Sequence, residues 1–207
     1  MAATATTTAL LPAAAAICVC LPLVTRYDQN VTAINSAVPA DGITPEGTAP
    51  GPLELVQSFA NTLGAAGGDL LDTREKAVPW LRGGGLMPAD AVVTGSEHAA
   101  LLRLRGALRD TLAAHAAGRA DADAAARLTR GLADGRLVTT LTPDGAVKLA
   151  TAARSVYPSI VAAIAVAIAE SDAAGTWPRL ALCQDPECGT AFYGQPSARH
   201  CPAHRIG

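Results

Sequence analysis

Three of the five cysteines fall in the last 25 residues, spaced Cys183-x4-Cys188-x12-Cys201-x2-His204. This spacing constrains the chain more than any other feature. A stretch so short cannot bury enough apolar surface to fold alone. Tight pairs of this kind let one turn present two ligands, and zinc favours four sulfur and nitrogen ligands at tetrahedral corners. Pro186 and Gly189 suit a turn in the first pair, and Pro202 suits one in the second. Leu180, Leu182, Phe192 and Tyr193 can pack beside the ion. The pattern predicts Zn2+ held by Cys183, Cys188, Cys201 and His204. Four protein ligands leave no open position, so such a site is structural and not catalytic. His200 competes for the fourth place, but it adjoins Cys201, and neighbouring residues rarely aim at one ion, so His204 is preferred. The rival readings are free thiols beside a chance histidine, and a Cys183–Cys188 disulfide. The odd cysteine count and the expectation of a cytoplasmic chain weigh against the disulfide. On this view a divalent ion, and not a hydrophobic core, organises the tail.

The other two cysteines, Cys18 and Cys20, lie in an uncharged apolar run over residues 9–24. No Lys or Arg precedes the run, and Pro12 and Pro22 interrupt it, which argues against a signal peptide or a membrane span. Residues 25–51 turn to Pro, Gly, Thr and Ala without periodicity. Residues 1–50 are therefore expected to form a disordered, low-complexity segment.

Beyond it the apolar spacing becomes helical. Leu53, Val56, Phe59, Ala60 and Leu63 make one face, stopped by Gly64, Gly67 and Gly68. Asp72 or Thr73 can cap a short second helix, where Pro79 predicts a kink or an early end. Ser96-Glu97 opens the longest helix, about residues 97–117. Leu101, Leu104, Leu108, Leu112 and His115 form its stripe, and Arg103, Arg105, Arg109 and Asp110 lie largely off it. Asp121 caps a helix over 122–133. Residues 136–149 are β-branched and broken by Pro143-Asp144-Gly145, the signature of a β-hairpin. A helix over about 156–171, apolar all round from Ile160 to Ala169, reads as the buried centre and as too short to span a bilayer. Aromatic residues are only 3% of the chain, so the core must rely on small aliphatic side chains. The expected fold is α+β. A mostly helical domain, its helices packed around a small antiparallel hairpin or sheet, spans residues 51–175, and a zinc-finger module spans 176–207.

The order of these features resembles bacterial proteins that join an ABATE domain to a CGNR zinc finger, described as stress-induced transcription regulators. The resemblance rests on Leu53-Glu-Leu-Val-Gln-Ser-Phe-Ala-Asn-Thr-Leu63, Asp69-Leu-Leu71, Trp80-Leu81 and Gly85-Leu86. The arginine-bearing helix and Cys183-Gln-Asp-Pro-Glu-Cys188-Gly-Thr-Ala-Phe-Tyr193 complete it. It implies a DNA-binding finger. Here His204 stands where the family offers its last cysteine, and the Gly-Asn-Arg motif and the basic tail after it are not in the sequence.

Three functions stay open. A DNA-binding finger would use Arg199 and Arg205, with Arg179, on phosphates. The formal charge is only −2, with pI about 6.1, so no bulk field would assist. Two or three phosphate contacts bind weakly unless the protein is a homodimer. The second reading is a zinc-stabilised module that packs on a protein partner. The third is a sensor in which Arg103, Arg105 and Arg109 face a small anionic effector; an exposed helix face is the plainer account of those arginines. No nucleophile–base set appears, Asp121 and Asp123 read as a helix start, and Gly83-Gly84-Gly85 lacks the lysine of a phosphate loop. The chain is therefore expected not to be an enzyme or a membrane protein.

Overall fold

The computed structural model describes residues 46–64, 68–153, 155–196 and 198–205. Most of the expectation for residues 1–50, with Cys18 and Cys20, lies outside them. Residues 46–50 do not behave as a linker: Ala49 is buried, and its N–H donates to Gln57 Oε1.

The architecture is α+β. Helix α1 (Leu53–Ala60) buries Leu53, Val56, Phe59 and Ala60 completely. It ends one turn before the predicted Leu63. Thr62 turns the chain by donating its hydroxyl to Phe59 O, and Leu63 moves into a short exposed strand. That strand, β1 (Leu63–Gly64), pairs antiparallel with β2 (Gly68–Asp69). Thr73 caps α2 (Arg74–Gly83), which runs through Pro79 without ending. Ala77 and Leu81, fully buried on either side, hold the helix together despite the missing hydrogen bond.

The long helix α3 (Gly95–Ala117) starts earlier than predicted. Its cap is Thr94, not Ser96: Thr94 and Glu97 bond reciprocally in a capping box. Gly118, at φ 62, ends it. The leucine stripe is buried throughout. Helix α4 (Ala122–Ala133) is capped by Asp121, whose Oδ1 accepts from Ala124 N at 2.9 Å.

Strands β3 (Leu137–Leu141) and β4 (Val147–Thr151) form the predicted hairpin, with Gly145 at φ 84 in its turn. The helices do not pack around it, contrary to expectation. It hangs from the edge of the body and leaves Leu141 71% and Val147 66% exposed. Gly135 just before it presses on α5 (Val156–Ala173), where an added Cβ would lie 2.9 Å from Ala162 N. The next residue, Arg136, takes the left-handed turn at φ 47. Helix α5 extends two residues beyond the predicted end. Its 18 residues are long and apolar enough to cross a membrane by length and composition alone, and half of it is buried against the other elements.

The C-terminal segment enters through a 3-10 turn (Trp177–Arg179), then pairs β5 (Leu180–Leu182) with β6 (Ala191–Tyr193) antiparallel. Strand β5 lies on α3, and β6 lies on α1. Leu180 and Ala191 are fully buried in the same core as the helices. The tail is thus organised by apolar packing as well as by its cysteines, which corrects the view that an ion alone arranges it.

Candidate metal centre

Each of the four C-terminal cysteine and histidine side chains is placed by a local device. Cys183 follows β5, and its N–H donates to Thr190 O across the pair. Asp185 Oδ1 accepts from Glu187 N, and Cys188 N donates to Asp185 O, so the chain doubles back to Cys188. Gly189, at φ 57, carries it onward in a conformation that L side chains resist. Cys201 opens a second 3-10 turn (Pro202–His204). Residues three apart eclipse in that geometry, which sets His204 beside Cys201.

The three sulfurs and one imidazole nitrogen all lie within 4.8 Å of one another. Cys188 Sγ and Cys201 Sγ are 3.7 Å apart. His204 Nδ1 is 3.4 Å from Cys201 Sγ and 3.8 Å from Cys183 Sγ. A tetrahedral ion with ordinary bond lengths to sulfur and nitrogen has edges of about 3.8 Å between sulfurs and about 3.6 Å between sulfur and nitrogen. These three separations match those figures, so the cluster can hold a metal ion. His200 is not part of it.

The electrostatics agree. Burial pushes the Cys188 thiol up. Hydrogen bonds from the Thr190 hydroxyl and N–H, and from the neighbouring thiols, outweigh it and bring the group down to about 7. Cys201 moves the other way, raised by burial and then by the Cys188 and Cys183 thiols. Three thiols this close cannot all ionise without a cation among them. A small buried cluster of Ala116, Ala181 and Phe192 closes around the cysteines.

Side chains of the helical body grip the backbone of this segment. Asn61 Oδ1 accepts from Ala191 N at 2.7 Å, and Asn61 Nδ2 donates to Ala191 O at 2.9 Å. Gln57 Nε2 donates to Ala191 O and to Gly47 O. Arg109 Nη2 donates to Gly189 O at 2.8 Å, one residue from Cys188. His115 Nδ1 donates to Leu180 O at 2.9 Å, and its ring meets Trp177 edge-on. Sequence reasoning found His115 at the core edge but missed the grip of Gln57, Asn61 and Arg109. The available signal was two amide side chains, Gln57 in α1 and Asn61 at its C-terminal cap, one helical turn apart beside the apolar face.

The arginines are distributed differently from expectation. Arg105 is not on an exposed face. It is 6% exposed and makes a bidentate pair with Asp69 at 2.5 and 2.7 Å, with a further bond to Thr62 Oγ1. The Arg105 guanidinium holds the Asp69 carboxyl below its usual range, against the opposing effect of burial. Arg109 turns inward too, donating to Ala60 O and Leu63 O besides Gly189 O. Of the three arginines read as facing a ligand or solvent, only Arg103 is exposed. Arg179 donates to Gly194 O and stacks on the Tyr193 ring. Arg199 is exposed, and Arg205 pairs with Glu46 at 2.7 Å. Beside the cluster lies a cleft of about 780 Å³ whose lining includes Glu46, Asp185 and Glu187. Its walls are acidic, not basic.

A comparison with curated proteins gives no match. The ABATE family model, described as "Putative stress-induced transcription regulator", matches residues 53–175. That span is more than half of the chain and includes α1 and α3, the two helices whose side chains grip the cysteine-bearing segment, and on this ground the protein belongs to the ABATE family.

Proposed function

We propose that this chain is a non-catalytic, cytoplasmic transcription regulator whose C-terminal cluster holds one structural Zn2+. The observation that carries the reading is the tetrahedral fit of Cys183, Cys188, Cys201 and His204. Three thiolates and an imidazole suit zinc better than the hard, oxygen-seeking cations. The bound ion would supply a cross-link and the positive charge that lets three buried thiols ionise. The protein supplies the rest. Arg109 and Asn61 hold the backbone on either side of Thr190, the first 3-10 turn leads into β5, and the second sets His204 beside Cys201.

Nucleic acid contact, on this proposal, falls to Arg199 and Arg205. The Arg205–Glu46 pair is about half exposed and opens at little cost. Two phosphate contacts give a shallow salt dependence, with a slope of about −2 in log K against log salt. Fluorescence anisotropy with duplex DNA between low and moderate salt tests this. Arg199→Ala and Arg205→Ala are expected each to weaken binding; no binding at low salt rejects the DNA role. Elemental analysis of the purified protein tests the metal separately, with one zinc per chain expected and its loss on Cys183→Ser. The acidic cleft favours a second reading, a zinc-stabilised surface for a protein partner. Retained zinc with no DNA binding is the result that selects it.

A further inference from the structure

The β3–β4 hairpin is unguarded. Exposed edge strands are normally protected by charge, proline or a bulge. Strand β3, Leu137-Val-Thr-Thr-Leu141, has no charge and no proline, and it pairs with β4 residue for residue without a bulge. It is also the outer strand, since β4 is the one that leans on α5.

The register shows which backbone groups face outward. Thr142 N donates to Ala146 O, and Ala152 N donates to Arg136 O. Antiparallel bonds recur at every second pair, so Val138 with Ala150 and Thr140 with Lys148 carry the bonds between. Leu137, Thr139 and Leu141 therefore point their N–H and C=O groups away from β4. Among the described residues, no backbone bond from another segment meets these groups. Leu137, Thr139 and Leu141 also share one face with Val147 and Leu149. That face is apolar and open, with Leu137 37%, Leu149 41%, Val147 66% and Leu141 71% exposed.

We propose that β3 is the seam of a homodimer, in which two copies pair their β3 edges antiparallel about a two-fold axis through Thr139. A second copy fits this edge because the sequence around Thr139 is self-complementary. Leu137 of each chain then opposes Leu141 of the other, the three outward-facing residues exchange backbone bonds in full, and no like charges meet. The two hairpins become one four-stranded sheet. Of the apolar face only Leu137 and Leu141 flank the seam, since Val147 and Leu149 lie one strand away on β4, so the pairing rests on backbone bonds more than on buried area; the dimer is therefore transient and forms at micromolar concentration or above. Such a dimer would carry two cysteine-bearing segments related by symmetry, which is independent of whether they contact DNA.

The test uses the full chain and sedimentation velocity from about 5 to 500 µM. Wild type is expected to shift from monomer to dimer across that range. Thr139→Lys and Thr139→Glu each set like charges on the axis and are expected to be monomeric throughout. Thr139 is exposed, so unchanged circular dichroism and melting are expected for both. Mixing the two variants is expected to regenerate the dimer. A wild type that stays monomeric, variants that dimerise like wild type, or a mixture that fails to associate would each overturn the proposal. Hydrogen exchange on the wild type gives a readout without substitution. Protection at Leu137, Thr139 and Leu141 is expected to rise with concentration, while Val138 and Thr140 stay protected at every concentration; a flat profile at the first three also overturns it.

Discussion

Replacing Asn61 by alanine removes two of the three side-chain hydrogen bonds that hold Ala191 of the cysteine-bearing segment to α1 and its cap. Their geometry sets the cost. Ala191 is fully buried, so no water reaches its backbone. Its N–H has Asn61 Oδ1 as its partner at 2.7 Å, and loses it outright. An orphaned buried donor costs about 1–3 kcal/mol. Its carbonyl loses Asn61 Nδ2 but keeps Gln57 Nε2 at 3.0 Å, so that side adds only a fraction of a kcal/mol. The sum is about 2–3 kcal/mol, or about 5–10 °C in Tm for a domain of this size. The assay is thermal and denaturant unfolding of the metal-loaded protein, followed by a chelator competition. Asn61→Ala is expected to release metal more readily, because Ala191 is three residues from Cys188 and the two positions move together. A loss below about 0.5 kcal/mol, with unchanged metal retention, refutes the reasoning. It would show that β6 is held by apolar packing alone.

Arg105→Met is expected to cost about 3 kcal/mol in denaturant unfolding at neutral pH, since it strands the Asp69 carboxylate beside a buried site. The pH dependence has a definite sign. The Asp69 pKa is lowered on folding from 3.8, so the pair's contribution is complete above that value and lost as pH falls through the lower folded value. Arg105→Met is therefore expected to flatten the acid limb of the stability profile below about pH 4. Gly135→Ala places a Cβ 2.9 Å from Ala162 N and 3.1 Å from Ala162 Cα, where backbone must move; about 1–3 kcal/mol is expected to be lost in the same assay. Leu108→Ala opens a cavity in the middle of the α3 stripe and is expected to cost about 2–5 kcal/mol.

Short-range features were legible in the chain itself. Asp121 as a cap, Pro143-Asp144-Gly145 as a turn, the leucine stripe of α3 and the Cys183, Cys188, Cys201 and His204 quartet all follow from spacing. A helix or a turn fixes which residues a few positions apart can meet, whatever surrounds them. The helix start was placed two residues late, because Ser96 and Thr94 are equally able acceptors and only the reciprocal bond to Glu97 separates them.

Tertiary packing decided the rest. Arg105 and Arg109 lie along the edge of the leucine stripe, where helical spacing alone does not choose between solvent and interior, and both turn inward. Asp69, Thr62 and Gly189, brought from distant segments, offer them charge and backbone acceptors. Asn61 and Gln57 gain their role only once β6 lies alongside α1 and presents a buried peptide group. The hairpin offers an apolar face of Leu137, Leu141, Val147 and Leu149, but the interior is already filled by α1, α3 and α5, so that face is left outside. A side chain's chemistry states which bonds it can make; the fold alone determines which partners come within reach.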